Sequence, residues 1–234
     1  MLQDTIIQNI QSLRSQLQEH AMDPACPPLL LPVTKMRPVS DILALRQAGV
    51  LAVGENRVQE IMEKYPDLSA AFAIHLIGRL QTNKIKYIIG RVSMVQSLDR
   101  LELARALDAR AQAAGCRMPV LVEVNIGGET QKAGVSPETA EAFVRACGKL
   151  PGLAVRGLMA IMPLSREPEE LRPLFRSMRQ LFVMLRAQAI DGVEMQELSM
   201  GMSGDFRVAA QEGATIVRVG SAIFQESVAV TPTA

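Results

Sequence analysis

Eight short apolar segments alternate with amphipathic segments along this chain of 234 residues. Strands that are apolar on both faces and are separated by helices are typical of a parallel sheet. Eight such units fit the usual length of one closed barrel, so we predict an α/β fold, a (β/α)₈ TIM barrel. Periodicity alone leaves an open, doubly wound sheet as the alternative. The predicted strands cover residues 29–35, 51–55, 71–78, 92–97, 119–126, 153–161, 194–199 and 215–220.

An extra helix is predicted ahead of the first strand, because Ile6, Ile10, Leu13 and Leu17 recur at the spacing of one helix face. No linker or low-complexity stretch divides the chain, which predicts a single domain over residues 1–234. The other predicted helical segments are 40–48, 57–64, 80–89, 99–114, 137–149, 167–188 and 204–212.

Capping patterns mark three of the predicted helix starts. Asp4 is a candidate N-cap of the first helix, and Asp99 with Glu102 has the spacing of a capping box. Ser136 followed by Pro137 predicts an N-cap with proline at the first helical position.

Charge and composition exclude several classes of protein. Lys and Arg number 25 against 24 Asp and Glu, giving a net charge of +1, and there are no Trp and only two Tyr. A near-neutral chain with few aromatic residues is not typical of nucleic-acid or membrane-surface binding. Three separated cysteines and two histidines show no metal-binding spacing. Without a secretory signal or a long apolar run, the sequence predicts a cytoplasmic protein.

Lys35 closes the first predicted strand, where side chains of a barrel point into its mouth. Partial desolvation there would favour the neutral, nucleophilic amine. A solvated lysine at a strand exit is the equally weighted alternative.

The turns after the seventh and eighth strands are rich in glycine and serine. Residues 198–206 read LSMGMSGDF, and residues 218–224 read RVGSAIF. Such turns offer backbone N–H groups to an anion, and barrels often bind phosphate after these two strands. We therefore expect a phosphate cradle there.

Three polar residues lie in or beside apolar strands. Arg218 needs a partner because an unpaired buried charge is costly, and the candidates are an ion pair with Glu123 or a bound ligand. His75 and Asn56 are candidate pocket residues, with a hydrogen-bonded core position or turn chemistry as alternatives.

At these residues the chain resembles the pyridoxal 5′-phosphate (PLP) homeostasis proteins, from about Leu30 to Phe224. These proteins share the barrel of the alanine racemase N-terminal domain, that of fold-type III PLP enzymes. The motifs that carry the resemblance are LLPVTKMRP, VGENRVQE, IHLIGRLQTNKIK, VQSLDRLELA, VLVEVNIGGETQKAG, VRGLMAI and LSMGMSGDFRVAAQEGATIVRVGSAIF. Where the family usually has histidine, the third motif has Arg79, which we expect to affect a surface or substrate contact.

The resemblance implies that Lys35 forms the Schiff base with PLP and that Arg218 faces the pyridine nitrogen. Ser203, Gly220 and Ser221 match the phosphate cradle. The remaining matches are Asn56 and His75, which line the pocket, and Ser199 and Met200, which contribute mainly backbone.

The resemblance further implies a PLP carrier or buffer rather than an efficient enzyme. Arginine only donates hydrogen bonds, so it leaves the pyridine nitrogen unprotonated and weakens the ring as an electron sink. The racemases take a second acid/base from a C-terminal domain, whereas this chain ends ten residues after Phe224. Expected partners are PLP and apo-enzymes that receive it, with the protein itself a monomer. The alternatives are an amino-acid racemase or related PLP enzyme, and an aldolase-type barrel that would use Glu123.

Overall fold

The protein is a (β/α)₈ barrel, as the alternating sequence predicts. The computed structural model describes residues 2–129 and 131–225. All eight strands are parallel and follow the order β1-β8-β7-β6-β5-β4-β3-β2. A parallel bridge between Val33 and Gly54 closes the barrel between its first and second strands. The strands are β1 Leu29–Pro32, β2 Ala52–Glu55, β3 Ala73–Leu76, β4 Met94–Leu98, β5 Met118–Glu123, β6 Leu153–Met159, β7 Val193–Ser199 and β8 Ile216–Val219.

Eight α-helices and two 3₁₀ helices precede, connect or follow the strands within the described residues. The α-helices are α1 Leu2–His20, α2 Val39–Gln47, α3 Val58–Leu68, α4 Leu101–Ala113, α5 Pro137–Gly148, α6 Arg172–Ala187, α7 Phe206–Gln211 and α8 Ser221–Phe224. The 3₁₀ helices are Thr82–Tyr87 and Pro168–Leu171. Among these helices, none combines the length and the apolar character needed to cross a bilayer.

The predicted N-terminal helix is confirmed by its packing. Ile6, Ile10, Leu13 and Leu17 on α1 are each at most 4% exposed and join the hydrophobic core. The helix already runs at Leu2, so Asp4 lies within its first turn and the predicted N-cap at Asp4 is wrong.

Two other predicted caps differ in outcome. Ser136 and Pro137 are the N-cap and first residue of α5, as predicted. The capping box at Asp99 is wrong, because α4 begins at Leu101 after an N-cap at Arg100. The Asp99 carboxylate instead accepts a hydrogen bond from the Arg100 guanidinium at 2.5 Å, so it binds a side chain rather than the amides of the first helical turn.

The barrel interior is unusually polar toward its C-terminal mouth. Side chains alternate along a strand, so every second residue points inward. Gln96 on β4, Glu123 on β5, Ser199 on β7 and Arg218 on β8 are each at most 6% exposed. The strands therefore carry polar groups to the same end of the barrel, above an apolar core.

Candidate functional site

A cavity of about 420 Å³ opens at the C-terminal ends of the strands. It contains residues that follow β1, β2, β7 and β8, the strand ends at which ligands bind in such barrels. Apolar side chains of Val33, Ile77 and Ile161 form part of its wall. The polar residues and glycines lining it are Lys35, Asn56, Gly78, Ser203, Gly204, Arg218, Gly220 and Ser221.

Lys35 lies at the rim of this cavity rather than within the strand. The strand β1 ends at Pro32, three residues earlier than the lysine. The Lys35 residue is exposed, so the expected partial desolvation is not found in this structure. Within the described part of the chain its ammonium has no hydrogen bond or ion pair, which leaves the amine available to a ligand.

A buried charge cluster fixes the backbone on both sides of this lysine. Lys64 on α3 donates to the Thr34 carbonyl at 2.8 Å, to Glu55 Oε1 at 2.7 Å and to Glu60 Oε2 at 3.0 Å. The Met36 amide donates to Glu60 Oε2 at 2.7 Å, and Met36 has a φ of 58°. A non-glycine residue with positive φ needs such support, because this conformation is disfavoured for L-residues. The cluster thus holds the lysine-bearing turn in a single arrangement.

The turns after β7 and β8 face the same cavity and carry unused N–H donors. The amides of Ser203, Gly204 and Ser221 have no backbone acceptor among the residues that the structure describes. The Gly220 amide donates to Ser203 Oγ at 3.2 Å, which ties the two turns together. Amides without acceptors, on two turns that line one cavity, suit a phosphate group.

Arg218 presents a buried cation to the cavity. Its guanidinium donates to Ser199 Oγ at 2.6 Å and to the Ala160 carbonyl at 2.8 Å. No direct ion pair with Glu123 is present, although that carboxyl is close enough to act electrostatically. Burial lowers the pKa of Arg218 to about 10, so the side chain stays charged at neutral pH.

A chain of hydrogen bonds continues from the arginine across the barrel. Ser199 Oγ donates to Gln96 Oε1 at 2.7 Å, and Gln96 Nε2 lies 3.0 Å from His75 Nδ1. Burial lowers the pKa of His75 to about 4, so the imidazole is neutral and its Nδ1 accepts from the glutamine. This relay, Arg218–Ser199–Gln96–His75, holds the guanidinium by uncharged partners.

Three of the residues that the resemblance implied do not line the cavity. His75 and Ser199 lie behind Arg218 in the relay. Met200 is fully buried in the core, and its amide donates to the Ile216 carbonyl at 3.1 Å. That amide is therefore committed to the sheet.

Asn56 borders the cavity, and its backbone fixes the shape of the opposite wall. A Cβ at Gly78 would lie 2.2 Å from the Asn56 carbonyl oxygen. Only glycine permits this approach, since any side chain at that position would displace the residue that follows β2.

Sequence reasoning missed Gln96 and Lys64. Gln96 interrupts the apolar run VSMVQS in the same way as Arg218 interrupts its strand. Lys64 lies three residues after Ile61 and four before Leu68, on the apolar face of α3. In both cases a polar residue at a predicted core position was the available signal.

Comparison with known sequences places the chain among proteins of similar length. Residues 3–228 match the family model described as the alanine racemase N-terminal domain. A pyridoxal phosphate homeostasis protein of Aquifex aeolicus is 44% identical over 84% of this chain and 86% of its own length. The protein of the same name from Pasteurella multocida is 37% identical over 94% of this chain and 97% of its own length.

Solved structures agree with this placement. PipY of Synechococcus elongatus, determined with PLP bound, superposes with a TM-score of 0.82 at 33% identity, covering 94% of this chain and all of that one. Alanine racemase of Corynebacterium glutamicum has a TM-score of 0.76 at 18% identity, and this chain spans 63% of its length, so it shows the fold alone. With a family model matched over nearly its whole length and close relatives of one name, this chain belongs to the pyridoxal phosphate homeostasis protein family.

Proposed function

We propose that this protein binds PLP covalently through Lys35 and serves as a carrier or buffer of the cofactor. The observation that carries the proposal is the single cavity that brings together the free amine of Lys35, the buried cation of Arg218 and the amides of two turns. The relatives named as PLP homeostasis proteins, and PipY with PLP bound, support it.

The residues present fit the chemical groups of PLP. The cavity volume of about 420 Å³ falls within the range of typical ligand pockets. Lys35 would hold the aldehyde carbon as a Schiff base, and the amides of Ser203, Gly204 and Ser221 would bind the phosphate. Arg218 would donate to the pyridine nitrogen. When bound, PLP supplies a reactive aldehyde and an electron sink.

The arginine favours storage over catalysis. A guanidinium can donate a hydrogen bond but carries no proton that it readily gives up, so the pyridine nitrogen beside it stays unprotonated. The relay partners Ser199 and Gln96 are neutral and do not alter this charge. This chain's own residues thus hold the cofactor while weakening its capacity to stabilise carbanions.

The proposal extends to the setting in which the protein acts. We expect a cytoplasmic monomer with one domain over residues 1–234, which passes PLP to apo-enzymes without catalysing a rapid reaction itself. Residues 1, 130 and 226–234 lie outside the described structure.

Borohydride reduction tests the attachment site. The purified protein should carry a visible absorption band that reduction abolishes, and peptide mass mapping should place the reduced adduct on Lys35. Lys35→Ala should lose the band, whereas Lys149→Ala, at the exposed C-terminal end of α5, should keep it. An adduct confined to another lysine would disprove the assignment.

Proton exchange separates the carrier from the alternative, an amino-acid racemase or related PLP enzyme. Incubation of the loaded protein with L-alanine in D₂O should show no exchange of the α-proton at rates of roughly 1–10³ s⁻¹ that are typical of enzymes. Rapid exchange that Lys35→Ala abolishes would establish the enzyme instead.

A further inference from the structure

A second cavity of about 310 Å³ adjoins the one just described. The two share Ile77, Gly78 and Ile161 in their walls, so an occupant of one lies next to an occupant of the other. The proposed PLP site does not use the charged residues of this second cavity, which are Arg79, Glu123 and Lys132.

Glu123 is the group that demands an explanation. It lies at the end of β5, is 6% exposed and has no side-chain hydrogen bond to any described residue. Buried polar groups are normally paired, because an unmet carboxylate is costly. Burial, with repulsion from Asp99, raises the pKa of Glu123 to about 7 against the opposing effects of Arg218 and Arg79. The carboxyl therefore lacks a donor at the wall of an open cavity.

Two cations border the same space. Arg79 is exposed over 72% of its side chain, and its only ion pair among the described residues is a long one of 3.8 Å to Asp99. Lys132 pairs with Glu129 and donates to the Met162 carbonyl at 3.2 Å. A carboxyl without a donor and a nearly free guanidinium are complementary to a molecule that carries both an ammonium and a carboxylate.

We propose that this second cavity is a binding site for an α-amino acid. Glu123 accepts hydrogen bonds from the ammonium group, and Arg79 binds the carboxylate, with Lys132 adding positive charge. Because the two cavities share Ile77, Gly78 and Ile161, the amino acid then lies beside the cavity that contains Lys35. The inference deepens the proposed function, on which its biological meaning rests, because it names the class of amine that meets the cofactor site.

Ligands with one charge or two provide the test. Binding of ¹³C-labelled L-alanine to the PLP-free Lys35→Ala protein would be followed by NMR, beside acetate and methylamine. L-Alanine should bind saturably, and each singly charged ligand should bind about tenfold more weakly or worse, since it lacks one of the two charge-assisted contacts. Glu123→Gln and Arg79→Gln should each weaken alanine binding by about tenfold or more. Arg105→Gln, at an exposed position on α4, should leave it unchanged.

The outcomes separate this inference from the function on which it rests. If acetate binds as tightly as alanine and Glu123→Gln does not affect its binding, the cavity is only an anion site and the proposal is overturned. The absence of saturable alanine binding would overturn it as well. PLP retention by otherwise wild-type protein carrying Arg79→Gln, measured by absorbance, reports on the first cavity, which Arg79 does not line. Loss of alanine binding with PLP retained therefore leaves the carrier proposal standing.

Discussion

Replacing Glu123 by glutamine should make the protein more stable at neutral and alkaline pH. The substitution keeps the shape of the side chain and removes an ionisable group that burial keeps from its charged form. The pKa of this carboxyl rises from 4.5 to about 7 on folding. Each pKa unit corresponds to 1.36 kcal/mol, so ionised Glu123 costs the folded state about 3 kcal/mol.

The sign of the pH dependence follows from proton binding. Between pH 4.5 and pH 7 the folded protein keeps the Glu123 proton that the unfolded chain has lost. The free energy of unfolding therefore falls as pH rises through this window, and the full cost is present above pH 7. In the glutamine variant this decrease with pH is absent. Its free energy of unfolding should therefore equal that of wild type near pH 4 and exceed it by about 3 kcal/mol at pH 8.

Urea unfolding of the PLP-free proteins at several pH values measures this difference directly. The slope of unfolding free energy against urea should be the same in wild type and variant, so the midpoints can be compared. Glu63→Gln, at an exposed position on α3, is the matched control, and its free energy of unfolding should depend on pH in the same way as that of wild type. Parallel profiles for Glu123→Gln and wild type would show that the carboxyl is not desolvated as the structure indicates.

Two further substitutions test the clusters around the first cavity. Lys64→Met removes the cation that pairs with Glu55 and Glu60, and the uncompensated buried charge should lower the free energy of unfolding in urea by about 3–5 kcal/mol. Lys149→Met should change the free energy of unfolding little. Equal effects of the two substitutions would contradict the role of the cluster. Gln96→Leu removes the hydrogen bonds of Gln96 to Ser199 and His75 and should lower the free energy of unfolding by about 1–3 kcal/mol. It should also shift the pH at which the bound cofactor's absorption changes, because Ser199 no longer holds the Arg218 guanidinium in place. An unchanged absorption titration would mean that these hydrogen bonds do not position the guanidinium.

Periodicity predicted the parallel sheet, because strands buried on both faces leave a continuous apolar pattern, and the count of eight units favoured the closed barrel over an open sheet. The capping patterns that predict where helices begin were less reliable. Asp99 has the spacing of a capping box, yet its carboxylate is taken by the neighbouring Arg100 side chain. A contact between sequence neighbours took the carboxylate that the helix would have used, and the spacing of Asp99 and Glu102 does not reveal that competition.

The same distinction applies to the candidate site. The positions of Lys35 and Arg218 at the mouth followed from their places at strand ends, because the barrel gathers those ends at one face. The exposure of Lys35 matches one of the two alternatives that the sequence left open, whereas the link between Gln96 and Ser199 could not be foreseen. The latter joins residues 103 positions apart, and only the closed barrel brings them within hydrogen-bonding distance.

The joint between β1 and β2 has a consequence for motion. These strands meet at a single bridge between Val33 and Gly54, whereas β1 and β8 pair over four residues. Local opening is cheapest where few backbone bonds must break, so amide hydrogen exchange should be fast along this seam. Lys35 follows this joint by two residues. The Thr34 hydroxyl donates to Glu55 Oε1 and Lys64 donates to the Thr34 carbonyl, so side chains add to the few backbone contacts there. Lys35 after β1 and Asn56 after β2 line the same cavity, so a ligand that contacts both would bridge the two strands and should slow the amide exchange between them.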